Sequence, residues 1–248
     1  MRLSDEFSDP RLVAAYESLN AYEPETQPRF YRELAQELRA RRILDVGCDT
    51  GLISRGLARL GYDVIGLDPA SLMIEAACAK PFGDRVRWVV GPAWCLGPAN
   101  LDLAIMTGHV AQFFLDDSEW QRALQAIHAC LRSGGHLAFE TRNPVLGQWQ
   151  GWRGADQITV HDRMAGYIQA ESVAGPIEHG LATIRTRYTF LAMGEERTSE
   201  TTLRFRTEAE LLASLTAAGF TIQRLHGDWD HSPVARSSPE LIVVAHRA

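Results

Sequence analysis

At 248 residues, with 46% hydrophobic and 23% charged residues, the chain has the length and composition of a globular protein able to bury a sizeable core. A formal net charge of -6, with no basic run denser than Arg39, Arg41 and Arg42, speaks against a nucleic-acid surface, and no apolar run reaches the roughly 18 residues a membrane span requires. The four cysteines (Cys48, Cys78, Cys95, Cys130) lack CxxC spacing and companion histidines, so reduced thiols and no metal site are expected.

Residues 1–40 read as an amphipathic helical segment broken by Pro24 and Pro28, with Leu12, Val13 and Tyr16 on one face and Phe30, Leu34 and Leu38 at helical spacing. From residue 41 short apolar runs alternate with helical ones. Strands are expected over 43–46, 62–67, 86–90, 101–106 and 136–140. Helices are expected over 52–60, with Leu52, Ile53, Leu57 and Leu60 inward, over 71–79, and over 118–131, closed by Gly134-Gly135. Such β-α alternation predicts a doubly wound, mostly parallel sheet covered by helices on both sides. Residues 142–206 change character to alternating polar and apolar positions, the mark of antiparallel strands. A helix over 208–218 and two closing strands, 220–225 and 241–245, complete the chain. One domain with a β insertion is expected, the helical segment acting as a cap and the insertion as a lid. The start, MRLSDEFSDP, has neither the basic nor the apolar part of a signal peptide, and a cytoplasmic location is expected.

The stretch Ile43 to Asp68, ILDVGCDTGLISRGLARLGYDVIGLD, organises the functional reading. It is a buried strand, a glycine-bearing turn, a helix, and a second strand ending in a carboxylate, which together make a seat for a nucleotide. A dinucleotide fingerprint requires glycine at 47, 49 and 52, where this chain has Gly47, Asp49 and Leu52; hydride transfer is therefore set aside. DVGCDTG instead resembles the first motif of class I S-adenosylmethionine-dependent methyltransferases. Asp68, the strand LDLAIM, the turn Leu131-Arg132-Ser133-Gly134-Gly135 and the closing Ala218-Gly219-Phe220 fit the same family, so the likeness covers roughly residues 35–248.

The resemblance implies a seven-stranded Rossmann-like fold and S-adenosylmethionine as cofactor. It implies that Gly47 and Gly51 admit the cofactor to the backbone, that Asp45 holds the loop or meets the methionine amine, and that Asp68 binds the ribose. Pro69 and Met73 would flank the adenine with Ala93 and Trp94, and Tyr16, Cys48, Asp49, Thr107 and Gly108 complete the cofactor set. Two positions depart from the family pattern: Asp49 replaces a glycine, and Gly91-Pro92-Ala93 stands where a carboxylate is usual.

His109, in the loop after the fourth strand, is the candidate general base, and Tyr22, Gln112, Arg142, Trp149 and Trp152, with Trp229, are candidates for the acceptor pocket. The expected activity is methyl transfer to O or N of a small molecule of the secondary-metabolite kind. The rival readings are a cofactor-binding or regulatory module of the same fold without turnover, and, lower, a nucleic-acid methyltransferase. The missing Asn-Pro-Pro-aromatic motif weighs against the latter. A small-molecule acceptor is the expected partner, with neither nucleic acid nor membrane; whether the chain is a monomer or a homodimer stays open.

Overall fold

The two strands that carry the expected motif are buried at every residue but the first. In the computed structural model, which describes residues 4–20, 27–146 and 156–248, β1 (Arg42–Val46) is flanked by β2 (Asp63–Asp68) on one side and β4 (Leu101–Met106) on the other. With β3 (Val86–Val90), β5 (Leu131–Arg142), β10 (Phe220–His226) and β11 (Glu240–Arg247) they form a seven-stranded sheet ordered β10-β11-β5-β4-β1-β2-β3. The five strands β1–β5 run parallel, whereas β11 runs antiparallel to β5 and β10. The expected doubly wound architecture is therefore present. Because β11 is reversed, its first residue, Glu240, lies opposite Arg142 at the carboxyl end of β5, the end where ligands of open α/β sheets bind.

Helices cover both faces. On one, α5 (Asp117–Cys130) and α6 (Glu208–Ala217) bury Trp120, Leu124, Ile127, Leu211 and Leu215 against the sheet; α6 starts at a capping box between Thr207 and Glu210. On the other, α2 (Gln27–Glu37) and α3 (Leu52–Arg59) bring Tyr31, Leu34, Ile53 and Leu57 onto Ile43, Leu103 and Ile242. The inward face of α3 differs from expectation: Leu52 and Leu60 are exposed, while Ser54, Arg55 and Ala58 join Ile53 and Leu57 inside. A polar residue can face inward here because the strand end beneath it carries a carboxylate, as described below.

Gly134 and Gly135 do not end α5. The helix stops at Cys130, and the two glycines sit in an irregular start to β5, where pairing with β4 jumps from Leu101↔Leu131 to Leu103↔His136. Gly134 has φ +71°, and a Cβ on Gly135 would lie 2.9 Å from the carbonyl oxygens of Leu101 and Arg132.

The insertion forms a separate antiparallel sheet of β6 (Asp156–Asp162), β7 (Gly166–Ala174), β8 (Leu181–Phe190) and β9 (Glu195–Arg204). The helix α1 (Pro10–Leu19), capped by Asp9, runs between this sheet and the main body. Its Leu12 and Ala15 pack on Ile168, Tyr188 and Phe190 of the insertion, and Val13 packs on Ala70 and Met73 beside α4 (Ser71–Ala79). Among the described residues no helix is long and apolar enough to cross a membrane, and no cluster of side chains is arranged to hold a metal ion.

Candidate active site

Three carboxylates converge at the ends of β1 and β2, and among the described residues no cationic side chain is bonded to any of them. Asp45 is buried on the last turn of β1; Ser54 of α3 donates to its Oδ2 at 2.6 Å, and its Oδ1 has no partner. Burial, only partly offset by the Ser54 bond, pushes Asp45 up to about 7, and the charges of Asp68 and Glu140 push the same way. Asp68, at the end of β2, accepts from the amide of Ala70 at 2.8 Å and that of Asp49 at 3.0 Å. Burial outweighs those two bonds and raises it to about 6. Asp49, half-buried, is raised well above the usual carboxylate range by burial and then by the charge of Asp68.

The turn itself fits the expected seat. Gly47 and Gly51 have φ +72° and +77°, which glycine alone adopts without strain, and Asp49 takes φ +49°. Asp and Asn tolerate the left-handed region better than other side-chain-bearing residues, so the turn keeps its shape despite the departure at position 49. The Asp49 carboxylate is turned outward to Tyr16 of α1, whose hydroxyl donates to it at 3.0 Å. The next residue of α1, Glu17, accepts from Thr50 at 2.7 Å, from Arg55 at 2.7 Å and from Lys80 at 2.8 Å; burial pushes its carboxyl up, and these bonds bring it below its ordinary value. The cleft between α1 and the turn, lined by Tyr16, Asn20, Cys48, Asp49 and Thr107 among others, measures about 10 Å³, less than a nucleoside-sized ligand occupies.

The residues present suit S-adenosylmethionine. Its ammonium and sulfonium are the cations that three mutually repelling carboxylates lack, and the unpartnered oxygen of Asp45 is an acceptor waiting for a donor. Each oxygen of Asp68 has accepted one hydrogen bond and retains a second lone pair for a hydroxyl. Other residues of the expected cofactor set are committed to packing. Met73 is fully buried under α1, Ala93 lies in the core, and the Trp94 ring carries the Arg122 guanidinium 4.6 Å from its centroid. The space that a Cβ would take at Gly51 is filled by the Trp88 ring, so close helix–strand packing is a sufficient reason for that glycine. Pro69 lies half-buried between Asp68 and α4, and the Cys48 thiol is buried and pushed up by that burial, which keeps it from acting as a thiolate.

The candidate acceptor residues begin where β4 ends. Thr107 is buried, Gly108 and His109 both have positive φ (+71° and +62°), and Val110 lies directly on Gly47, where a Cβ would come within 2.5 Å of the valine methyl. The loop carrying His109 therefore abuts the motif turn. The His109 amide donates to Glu140 Oε1 at 3.1 Å, and its Nε2 pairs with Glu240 at 3.0 Å. Glu140, buried at the end of β5, takes a short hydrogen bond from the Tyr31 hydroxyl of α2. Burial raises both: Glu140 above its ordinary value and Tyr31 well above its own, the latter further opposed by the Glu140 charge.

Of the expected acceptor residues, Gln112 and Arg142 are brought together, Arg142 Nη1 donating to Gln112 Oε1 at 2.8 Å. Gln112 is fully buried with its Nε2 unpartnered. Trp229 packs edge-on against Phe30 and Tyr31, with centroid separations of 5.6 and 6.3 Å. Tyr22, Trp149 and Trp152 lie outside the described residues. Sequence reasoning missed Glu140 and Glu240 as partners of His109, and Tyr31 as the partner of Glu140. The available signal was a carboxylate in the apolar strand HLAFET, since an acid in a buried run needs a partner.

Comparison with known proteins agrees with this geometry. Residues 43–135 match the profile of the methyltransferase domain family. The chain is 26% identical over 215 residues to a cypemycin N-terminal methyltransferase from Streptomyces sp, covering 85% of this chain and 84% of the relative. It is 36% identical over 139 residues to a ubiquinone biosynthesis O-methyltransferase from Bordetella avium, covering 52% and 54%. An amino pentose methyltransferase from Micromonospora echinaspora, solved with S-adenosylmethionine bound, superposes with a TM-score of 0.71 at 22% identity, covering 95% of each chain; this likeness is one of fold. Residues 43–135 therefore carry a methyltransferase domain, and motif, sheet order and relatives together liken the chain to the class I S-adenosylmethionine-dependent methyltransferases.

Proposed function

We propose that this chain transfers the methyl group to a nitrogen or oxygen of a small molecule, with His109 taking the proton of the acceptor. When bound, the cofactor supplies an electrophilic methyl on sulfur; the protein's part is to orient the acceptor, exclude water and manage one proton. Asp45 and Asp68 would hold the cofactor by its ammonium and ribose. The observation that carries the reading is the contact of Val110 with Gly47, which sets the neighbouring His109 beside the cofactor turn. Relatives named for N-terminal and ubiquinone-pathway methylation, and a fold neighbour that acts on an amino pentose, support small acceptors of either atom type. The acidic balance of the chain supports an acceptor other than nucleic acid. Four cysteines standing as free thiols support work in the cytoplasm.

The test is a panel of amino sugars, amino acids, short peptides and phenols, incubated with S-adenosylmethionine and the purified chain. S-adenosylhomocysteine release together with a product one methyl heavier supports the reading. Turnover only on RNA or DNA contradicts it.

A further inference from the structure

The surroundings of His109 contain more order than a histidine in a loop needs. Two successive positive φ angles, at Gly108 and His109, project the imidazole, and a left-handed backbone is uncommon for histidine. Something must hold it there. Glu140 does so by accepting from the His109 amide, and Tyr31 holds Glu140 in turn from α2. The ring is held separately, by Glu240 at the start of β11, whose two carboxylate oxygens lie 3.0 and 3.1 Å from Nε2. Both side chains of this pair are close to buried, at 13% and 12% exposure, so the contact is not a solvent-screened surface pair. Facing the ring and its loop are therefore Glu240 from β11, Glu140 from β5 and, behind Glu140, Tyr31. Arg142 stands opposite Glu240 in the strand register, with its guanidinium donating to Gln112.

A carboxylate only accepts hydrogen bonds, so the nitrogen facing Glu240 must carry the hydrogen. In the neutral imidazole the other nitrogen then bears the lone pair. We infer that Glu240 is a positioning residue which fixes His109 in the Nε2–H tautomer and leaves Nδ1 as the atom that receives the acceptor's proton. The inference rests on the reading of His109 as the base. In the step itself the acceptor's lone pair forms the new bond to the methyl carbon and the old carbon–sulfur pair stays on sulfur. The acceptor's N–H or O–H proton moves to Nδ1, and the resulting imidazolium is stabilised by Glu240 through Nε2–H. The role parallels the acid that orients the histidine of a hydrolase triad, here reached from a different strand order and for a different reaction. Glu140 acts one level further back, on the loop rather than the ring.

The experiment uses the 248-residue chain, labelled with 15N-histidine and saturated with S-adenosylhomocysteine, and reads the tautomer of His109 from two-bond nitrogen–proton correlations near pH 8. His109→Gln assigns the signal. The expected wild-type result is a single tautomer with the proton on Nε2. In Glu240→Gln the carboxamide can either accept from or donate to Nε2, so the expected result is a mixture of both tautomers. The rate of S-adenosylhomocysteine formation with the acceptor panel should fall roughly 10- to 100-fold in kcat, with KM for the acceptor little changed. A wild-type proton on Nδ1, or an unchanged tautomer and kcat in Glu240→Gln, overturns the assignment of Glu240 while leaving His109 as the base. Full activity in His109→Gln instead removes the base itself, so the two failures are told apart. Calorimetric S-adenosylhomocysteine affinity in Glu240→Gln checks that the fold and the cofactor seat are intact.

Discussion

The proposed cofactor half and the proposed acceptor half of this site are built in opposite ways. The cofactor half is local: Asp45, the turn, Ser54 and Asp68 fall within one β-α-β unit, and their geometry follows from strand ends and positive φ at Gly47, Asp49 and Gly51. The acceptor half is assembled from four distant places, Tyr31 on α2, His109 after β4, Glu140 on β5 and Glu240 on β11. Its polar groups pair with each other, whereas the acids of the cofactor half have no cationic partner among the described residues. One region is poised to receive a cation; the other is a closed network with a single imidazole presented from it. A site of this kind separates binding from proton handling, and substitutions should separate them too.

The largest effect is expected at His109. His109→Gln should lower kcat roughly 10²- to 10⁴-fold, the usual range for loss of a general base, with S-adenosylhomocysteine affinity unchanged by calorimetry. On the cofactor side, Asp68→Ala should weaken S-adenosylmethionine binding by about tenfold or more, the loss expected on removing hydrogen bonds to a charged acceptor, and fold stability should be followed in parallel by thermal melting. If His109→Gln loses binding and Asp68→Ala does not, the division into halves is wrong.

A finer contrast lies in proton linkage. Asp45 and Asp68, raised to about 7 and about 6, bind protons at pH 6 to 7 in the free chain. A cation arriving beside them lowers both, so binding should release protons, and affinity should rise as pH increases across that window. Calorimetry of S-adenosylhomocysteine in phosphate and in imidazole buffer at about pH 6.5 reads the release as a difference in apparent heat. Equal apparent heats in the two buffers would show that the acids do not change protonation.

The smallest effect concerns stability. A buried acid whose pKa is raised by folding stabilises the native state below its unfolded pKa, and that contribution is lost as pH rises through the folded value. For Asp45 the loss runs from about pH 4 to about pH 7. Asp45→Asn removes the ionisation while its amide oxygen can still accept from Ser54. It should raise the melting temperature of the ligand-free chain at about pH 8, by roughly 2–4 °C per kcal/mol relieved, and leave it nearly unchanged at about pH 4. The same variant should bind S-adenosylmethionine more weakly, a trade of stability against function.

What was legible in the sequence follows the same division. The core strands are short, apolar runs and the turn residues carry their backbone demands with them, so the parallel sheet, the β insertion and the motif could be read along the chain. On α3, Leu52 was read as inward and is exposed, and the buried Ser54 went unread, because helical periodicity does not register that Asp45 beneath the helix needs a hydroxyl donor. The helix stop at Gly134-Gly135 was read late, since glycine with positive φ marks an irregular strand start as readily as a helix end. Met73 and Trp94 look like adenine neighbours in sequence, yet one is fully buried under α1 and the other lies against Arg122. Glu140 and Glu240 are 100 residues apart, and only the reversed direction of β11 brings the second to His109. Pairings that depend on strand order are invisible to any local pattern.

The most direct test of the account is isothermal calorimetry of the folded chain with S-adenosylmethionine and S-adenosylhomocysteine, run beside Asp68→Ala. The account predicts saturable one-site binding of both ligands to the wild type and a clear loss in the variant. No heat from either ligand, with the wild type still melting cooperatively, would contradict it.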